Sequence, residues 1–513
     1  MDDRGTVKRN GREIAMVRSY LAMDYGGSSG RGILGHYDGE KLILEEVNRF
    51  PDFFVEINGI CYWDTFMMFQ NLKESLKTAG QKCRNKTELV SVGIDTWGTD
   101  YGLLDGQGNP IGTSVCERNT QGAGRKAVTE KIGEKVLYEK TGTHFLDGNT
   151  LFQLYERKLR EDSGLEYAGT LLMLPDLLGY FLTGECFSEY SDAVTSMLLD
   201  AESETWNVDI LEKLGLPADI YPKVIHGGEK SFSVKKELLE ELHLKGINYT
   251  PVLSHDTASA IAAVPHVPGQ AFCSSGTWSI MGVVTKEPPA KDRARQYNFA
   301  SSKFGNSFYK THRDFMGMWM ITQCKRVWEA EGRKYSWEEI TDAAAKAEEF
   351  AAVIDVDRPE FFNVGNMHGK IERYLARTGQ RMPQGMGALS RCIYESLALR
   401  YRRTARQLQE ISGEKITSLC IVGGGSRNRF LNQLIADAVE VPVIAGPSEA
   451  ACIGNILMQM KADGQIQTLE EGWKIAENSF EKEVFLPDGT QDWESYDRKY
   501  QSIKESVKEE GKL

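Results

Sequence analysis

The stretch "YLAMDYGGSSGRGILG", residues 20–35, decides how this chain is read. An apolar run from Tyr20 to Met23 stops at one acid, Asp24. Gly26, Gly27, Ser28, Ser29, Gly30 and Arg31 follow, and apolar residues resume at Ile33. A plain hairpin needs only a two-residue turn such as Asn-Gly. Here a carboxylate, small backbone-exposing residues, hydroxyls and an arginine crowd together instead. Successive backbone N–H groups at Gly26, Gly27, Ser28 and Ser29 can form an anion-binding concavity. Arg31 can add a charge-assisted hydrogen bond to a phosphate. Asp24 cannot itself attract phosphate, but it makes sense beside a divalent cation, because magnesium is usually held by one or two carboxylates plus phosphate oxygens. No Gly-Lys-Ser/Thr follows, so this is not a Walker A loop, nor is it G-x-G-x-x-G. The alternative is a hairpin with an incidental acid.

Outward from this loop, residues 19 to 48 read as strand, turn, strand, turn, strand, with a helix at about 64 to 80. "ELVSVGIDTWGTDYGLLDGQGNPIG" reads as a buried strand, a glycine-containing loop, a second strand and an Asp-Gly turn. Residues 149 to 184 read as largely helical, ending at Thr183-Gly184. "GQAFCSSGTWSIMGVVT", residues 269 to 285, repeats the opening plan of strand, small polar turn and strand. Residues 384 to 412 read as a helix, and "ITSLCIVGGGSRNRFLNQLIADAVEVPVIAG" as strand, glycine loop, helix, strand. The chain thus divides into two α/β halves, each opening on a hairpin over a small polar loop. The expected boundaries are an extension over 1–18, a first domain over 19–250, a second over 251–464 and a charged helical tail over 465–513.

Further loops carry chemistry. In "CSSGTWS", Ser274, Ser275, Gly276 and Thr277 repeat the first loop without its acid; alone they are a turn, but as a pair the two loops can grip one polyphosphate. Gly423, Gly424 and Gly425 end an apolar strand and precede a helix, leaving room for a bulky ligand beside an anion-favouring helix start. In "SHDTASA", Asp256 lies where a strand run gives way to a helix. The residues alone favour a helix cap there, and a general base at an α/β strand end is the other reading. Asp95, Thr96, Trp97, Gly98 and Asp100 in "GIDTWGTDYG" suit a sugar, with ring stacking plus acid-to-hydroxyl hydrogen bonds; a buried Trp beside a turn is the plain alternative.

Bulk properties narrow the class. The 513 residues suffice for two well-buried domains, and 41% apolar with 26% charged residues is ordinary for a globular chain. A net charge of −12 without a long basic run argues against nucleic acid or an anionic membrane as partner. No apolar run reaches spanning length, and the polar start lacks a signal-peptide core. The nine cysteines show no C-x-x-C spacing, which points to reduced thiols in a cytoplasmic protein.

Taken in order, "GGSSGR", "GIDTWG", "NTLFQL", "LTG", "SHDTASA", "SSGTWS", "MGMW", "IVGGG", "LNQL" and "VIAGP" resemble the FGGY family of carbohydrate kinases from about residue 19 to 460. The resemblance implies two actin-like/ribonuclease-H-like ATPase domains flanking a central cleft. It implies ATP and Mg²⁺, a small sugar as the other partner, and a monomer or homodimer. Gly27, Ser28, Ser29, Gly30 and Arg31 are then expected to line the ATP phosphates, with Thr277, Thr322 and Gly424 also on ATP. Asp24 orders the magnesium indirectly. Gly98, His255, Asp256, Thr257 and Asp314 contact the sugar, and Asp256 becomes the proton acceptor rather than a cap. The expected reaction is phosphorylation of a ketose hydroxyl, L-rhamnulose at O1 first, with L-fuculose or xylulose as alternatives. A chaperone ATPase or sugar-sensing regulator on the same core is the rival of another class. Two positions depart from the resemblance: Asp314 stands where an Asn is expected, and Thr322 where a Gln is expected, with Gln323 one place on. The segment "FLDG" before Asn149 also departs.

Overall fold

A computed structural model describes residues 6–9, 12–15, 17–27, 29–51, 54–84, 86–120, 122–304, 308–362 and 365–510. Ser28 of the opening loop lies outside the described residues. The chain forms two compact units. Residues 1–265, 300–307 and 449–480 make the first, and 266–299, 308–448 and 481–513 the second.

In the first unit, six strands run in the order Phe232–Ser233, Asn248–Tyr249, Glu88–Thr96, Arg18–Gly26, Ser29–Tyr37, Leu42–Pro51. The last three are the antiparallel meander expected from the opening sequence. Glu88–Thr96 joins it in parallel, pairing Asp24 with Asp95. Side chains alternate across a strand. Leu21, Met23, Val92 and Ile94 therefore share one face, packed with Met68, Leu72 and Leu76 of the helix Thr65–Cys83. Ser91, Gly93 and Asp95 take the other face, against the helix Ala450–Ala462. Gly93 permits this approach, since a Cβ there would fall 2.4 Å from Asn455 Oδ1. The same helix closes on the helix Asp256–Ala262 at Gly454, where a Cβ would lie 1.8 Å from the Ser259 carbonyl oxygen.

The second unit repeats the plan. Its strands run Phe308–Met316, Trp278–Thr285, Gln270–Ser275, Ser418–Val422, Val443–Ala445, Glu483–Phe485. The first three are antiparallel, Ser418–Val422 and Val443–Ala445 continue in parallel, and the last is antiparallel. In each unit a three-stranded meander thus adds parallel strands beside its first strand, which is the ribonuclease-H-like order expected from the resemblance.

Some elements differ from expectation. Thr170–Met173 is a strand paired with Tyr101–Leu104, inside the span read as helical. A short apolar run does not by itself distinguish strand from helix. Within the amino-terminal extension, Thr6–Arg9 pairs antiparallel with Arg12–Ala15. The charged carboxy-terminal segment is shared: the helix Leu469–Ser479 lies in the first unit and Trp493–Glu510 in the second. No helix among the described residues is long and apolar enough to cross a membrane.

Candidate active site

Three acids of the first unit interact at the carboxyl ends of its parallel strands: Asp24, Asp95 and Asp256. Asp24 is 7% exposed, and its Oδ2 accepts from Arg31 Nε at 3.0 Å and Nη2 at 2.6 Å. Arg31 Nε also lies 3.1 Å from Glu449 Oε2. The arginine read as a phosphate ligand is therefore already flanked by two carboxylates. Asp95 is fully buried, and its Oδ2 accepts from Asn455 Nδ2 at 2.6 Å. Its Oδ1 has no hydrogen-bond partner among the described residues. Burial first, then the charge of Asp24, raises its pKa well above the usual carboxylate range.

Gly27 and Gly30 owe their identity to different neighbours. A Cβ on Gly30 would meet Phe50 Cε2 at 1.9 Å, so packing alone demands glycine there. At Gly27 the nearest atom to an added Cβ is Arg118 Nη2, 3.6 Å away.

Asp256 opens the helix Asp256–Ala262, and His255, not Asp256, occupies the N-cap position. The Asp256 carboxylate accepts from its neighbour Thr257, with the hydroxyl 3.2 Å from Oδ1. It remains 32% exposed, with His255 Nε2 3.7 Å from Oδ1. The backbone just before it is clamped. The Thr96 amide donates to the Ser254 carbonyl at 2.9 Å. The Ser254 amide donates to Glu189 Oε2 at 3.0 Å, and the His255 amide to Ser191 Oγ at 3.2 Å. Glu189 is wholly buried and also accepts from the Gly227 amide at 3.2 Å. Burial pushes its pKa up, while these hydrogen bonds pull it down. Sequence reading missed Glu189. Its only signal is an acid in "FSEYSD", with nothing to connect it to a loop 65 positions on.

The "GIDTWGTDYG" loop is organised by Asp100. Its buried carboxylate accepts the indole N–H of Trp63 at 2.6 Å and of Trp97 at 2.8 Å, and the Glu117 amide at 3.0 Å. Burial, then the nearby Glu117 charge, raises its pKa well above normal. The Trp63 and Trp97 ring centroids are 4.2 Å apart. Gly98 packs on Thr195, where a Cβ would sit 2.7 Å from Cγ2.

The second unit brings Thr277, Gly424 and Thr322 into related loops. The Gly276 and Thr277 carbonyls accept from Met318 and Gly317 amides at 2.9 and 3.1 Å, so "SSGT" and "MGMW" lock together. The three glycines divide their work. Gly423 has φ of +80°, and a Cβ on Gly425 would fall 2.1 Å from Ser275 Oγ. Gly424 alone faces open space. Thr322 donates its hydroxyl to the Met318 carbonyl at 2.8 Å, within its own helix Trp319–Ala330. One place along a helix turns a side chain by about 100°, and Gln323 is accordingly buried. Asp314 pairs with Ile280 across two strands and is 20% exposed, with His312 Nε2 4.0 Å from its Oδ1.

This arrangement is that of a two-domain sugar kinase. Residues 19–263 match the amino-terminal domain, and 271–462 the carboxy-terminal domain, of the FGGY family of carbohydrate kinases. The chain belongs to that family. It is 34% identical over 495 residues to a rhamnulokinase of Bacteroides thetaiotaomicron, covering 96% of this chain and 100% of the relative. It is 34% identical to a rhamnulokinase of Bacillus subtilis over 91% of this chain and 95% of the relative. Among solved structures, the fold is similar to a gluconate kinase from Lactobacillus acidophilus, with TM-score 0.75 at 15% identity over 95% of this chain and 96% of the other. It is also similar to Plasmodium falciparum glycerol kinase with ADP, with TM-score 0.74 at 16% identity over 96% and 98%.

Proposed function

We propose that this carbohydrate kinase transfers the γ-phosphoryl group of ATP to a primary hydroxyl of a ketose, and that the ketose is L-rhamnulose, phosphorylated at O1. The observation that carries the mechanism is Asp256: a partly exposed carboxylate at a helix start, held by a hydrogen-bonded backbone, while its acidic neighbours are buried. The rhamnulokinase relatives, matched over nearly their whole length, support the choice of sugar.

On this reading Asp256 accepts the proton from the sugar hydroxyl as that oxygen bonds to the γ-phosphorus. The bond from phosphorus to the bridging oxygen of ADP breaks, and ADP leaves. Gly98, His255, Thr257 and Asp314 contact the sugar. Gly27, Ser28, Ser29, Gly30 and Arg31 line the phosphates, with Thr277, Thr322 and Gly424 on the nucleotide. Asp24 suits an indirect role in ordering a divalent cation: it lies beside the buried Asp95, whose Oδ1 has no hydrogen-bond partner among the described residues. When bound, magnesium offsets the charge of the phosphates. All nine cysteines are free, which fits a cytoplasmic location.

Asp314 supports a second reading, a different ketose such as L-fuculose or xylulose. A carboxylate in place of an amide loses a donor and gains charge. The test is ADP release with L-rhamnulose, L-fuculose and xylulose, for the parent and for Asp256→Asn. We expect L-rhamnulose to give the highest kcat/KM, and the variant to lose roughly 10²–10⁴-fold. Variant activity within a few-fold of the parent overturns the base assignment.

A further inference from the structure

We propose that Arg118 is a catalytic residue of this enzyme, whose guanidinium meets the γ-phosphoryl group as it passes from the loop at Gly27 to the sugar. This rests on the kinase reading above and adds a group it does not contain.

The need arises at Arg31. Its guanidinium is bound by Asp24 and Glu449, so toward a ligand it presents an ion pair, not a bare cation. Arg118 differs. Its Nη2 donates to the Gly27 carbonyl at 3.2 Å. Its other ionic contact among the described residues is Nε to Glu117 Oε1, at a looser 3.6 Å. The side chain is 43% exposed, so its remaining N–H groups stay accessible beside the phosphate loop.

The mounting is rigid. The Arg118 guanidinium carbon lies 5.6 Å from the Trp63 ring centroid and 5.8 Å from that of Phe54. Trp63 is tied by its indole N–H to the buried Asp100, which also holds Trp97 of the expected sugar loop. The backbone on either side is anchored as well. The Glu117 amide donates to Asp100 Oδ1, and Asn119 Oδ1 accepts from the Cys61 amide at 2.8 Å. Arg118 thus touches the phosphate loop with one edge and rests its face near Trp63 and Phe54, and Trp63 in turn packs on Trp97 of the sugar loop. A transferred phosphoryl group passes between those two loops. A planar fork of N–H donors suits its oxygens, and a donor already placed where charge develops lowers the barrier without reorganising.

The proposal is tested with Arg118→Gln, Arg118→Lys and Arg118→Ala. We expect Arg118→Gln to lower kcat by roughly 10²–10³-fold, the effect of removing one preorganised donor. ADP and ketose affinities by calorimetry should stay within about twofold of the parent, while binding of AMP-PNP, which keeps a γ-phosphoryl, weakens. Lys keeps the charge but not the fork, so it should fall between parent and Gln. Added guanidinium should restore part of the Arg118→Ala turnover. Turnover of Arg118→Gln within threefold of the parent overturns the proposal. So does a loss of ADP and ketose binding equal to the loss of AMP-PNP binding, which would make Arg118 a structural strut. If the parent releases no ADP with any ketose while Arg118→Gln still discriminates AMP-PNP from ADP, the substrate reading fails and the Arg118 assignment stands.

Discussion

The amide of Ser254 donates to the buried carboxylate of Glu189 at 3.0 Å, two residues before Asp256. Glu189 also holds the Ser191 and Gly227 amides, so one acid fixes three backbone segments beneath the expected base. Replacing it with Gln turns an amide N–H₂ toward at least one N–H donor. A buried unsatisfied group costs about 1–3 kcal/mol. We expect Glu189→Gln to lower kcat by about tenfold with KM for the ketose unchanged, because the base is misplaced and not removed. Steady-state kinetics on both substrates decides. A rise in KM with unchanged kcat would make Glu189 a binding element instead.

The glycine loop at 423–425 gives a paired test. Gly425→Ala places a methyl 2.1 Å from Ser275 Oγ and should destabilise the fold by about 1–3 kcal/mol through overpacking. Gly424→Ala enters open space and should melt like the parent. Gly424→Val, by contrast, should weaken ATP binding far more than ketose binding. Thermal melts and calorimetric titration separate the two positions. Equal loss of both ligands in Gly424→Val would show that this glycine only shapes the loop.

Gly30 is expected to be a packing glycine. Gly30→Ala drives a methyl to 1.9 Å from Phe50 Cε2 and should lower the melting temperature by several degrees. The double variant with Phe50→Leu makes room and should recover part of the loss. If it recovers none, the backbone of the phosphate loop, and not Phe50, makes the demand.

Arg313 lies on the opposite face of the strand from Asp314, donating to the Tyr297 carbonyl at 2.6 Å, with Asp357 3.8 Å away. His312, two residues back on the same face as Asp314, places its Nε2 4.0 Å from the Asp314 Oδ1. We expect Asp314→Asn to change the ratios of kcat/KM among L-rhamnulose, L-fuculose and L-xylulose, because a pocket built to hydrogen-bond a hydroxyl discriminates strongly. Unchanged ratios would mean that Asp314 does not touch the sugar.

Local patterns in the sequence determined much of this protein. Short apolar runs on either side of small polar turns, Tyr20–Met23 before Ile33 and Ala271–Cys273 before Ile280–Val283, set out the opening hairpin of each half, because a strand buried on both faces reads as a continuous apolar run. The small polar loops and the helix start at Asp256 were legible too. Tertiary structure alone decided what stands behind those loops. Glu189 reaches Ser254 across 65 positions, Arg118 reaches Gly27 across 91, and Asn455 reaches Asp95 across 360. The helix carrying Asn455 reads as part of the second half but packs in the first unit. Only packing shows which glycines are demanded by a neighbour, as Gly30 is by Phe50, and which leave space, as Gly424 does. Only packing shows that the charge of Arg31 is already matched. Such partners are chosen by the meeting of distant elements, and no local period in the chain encodes that choice.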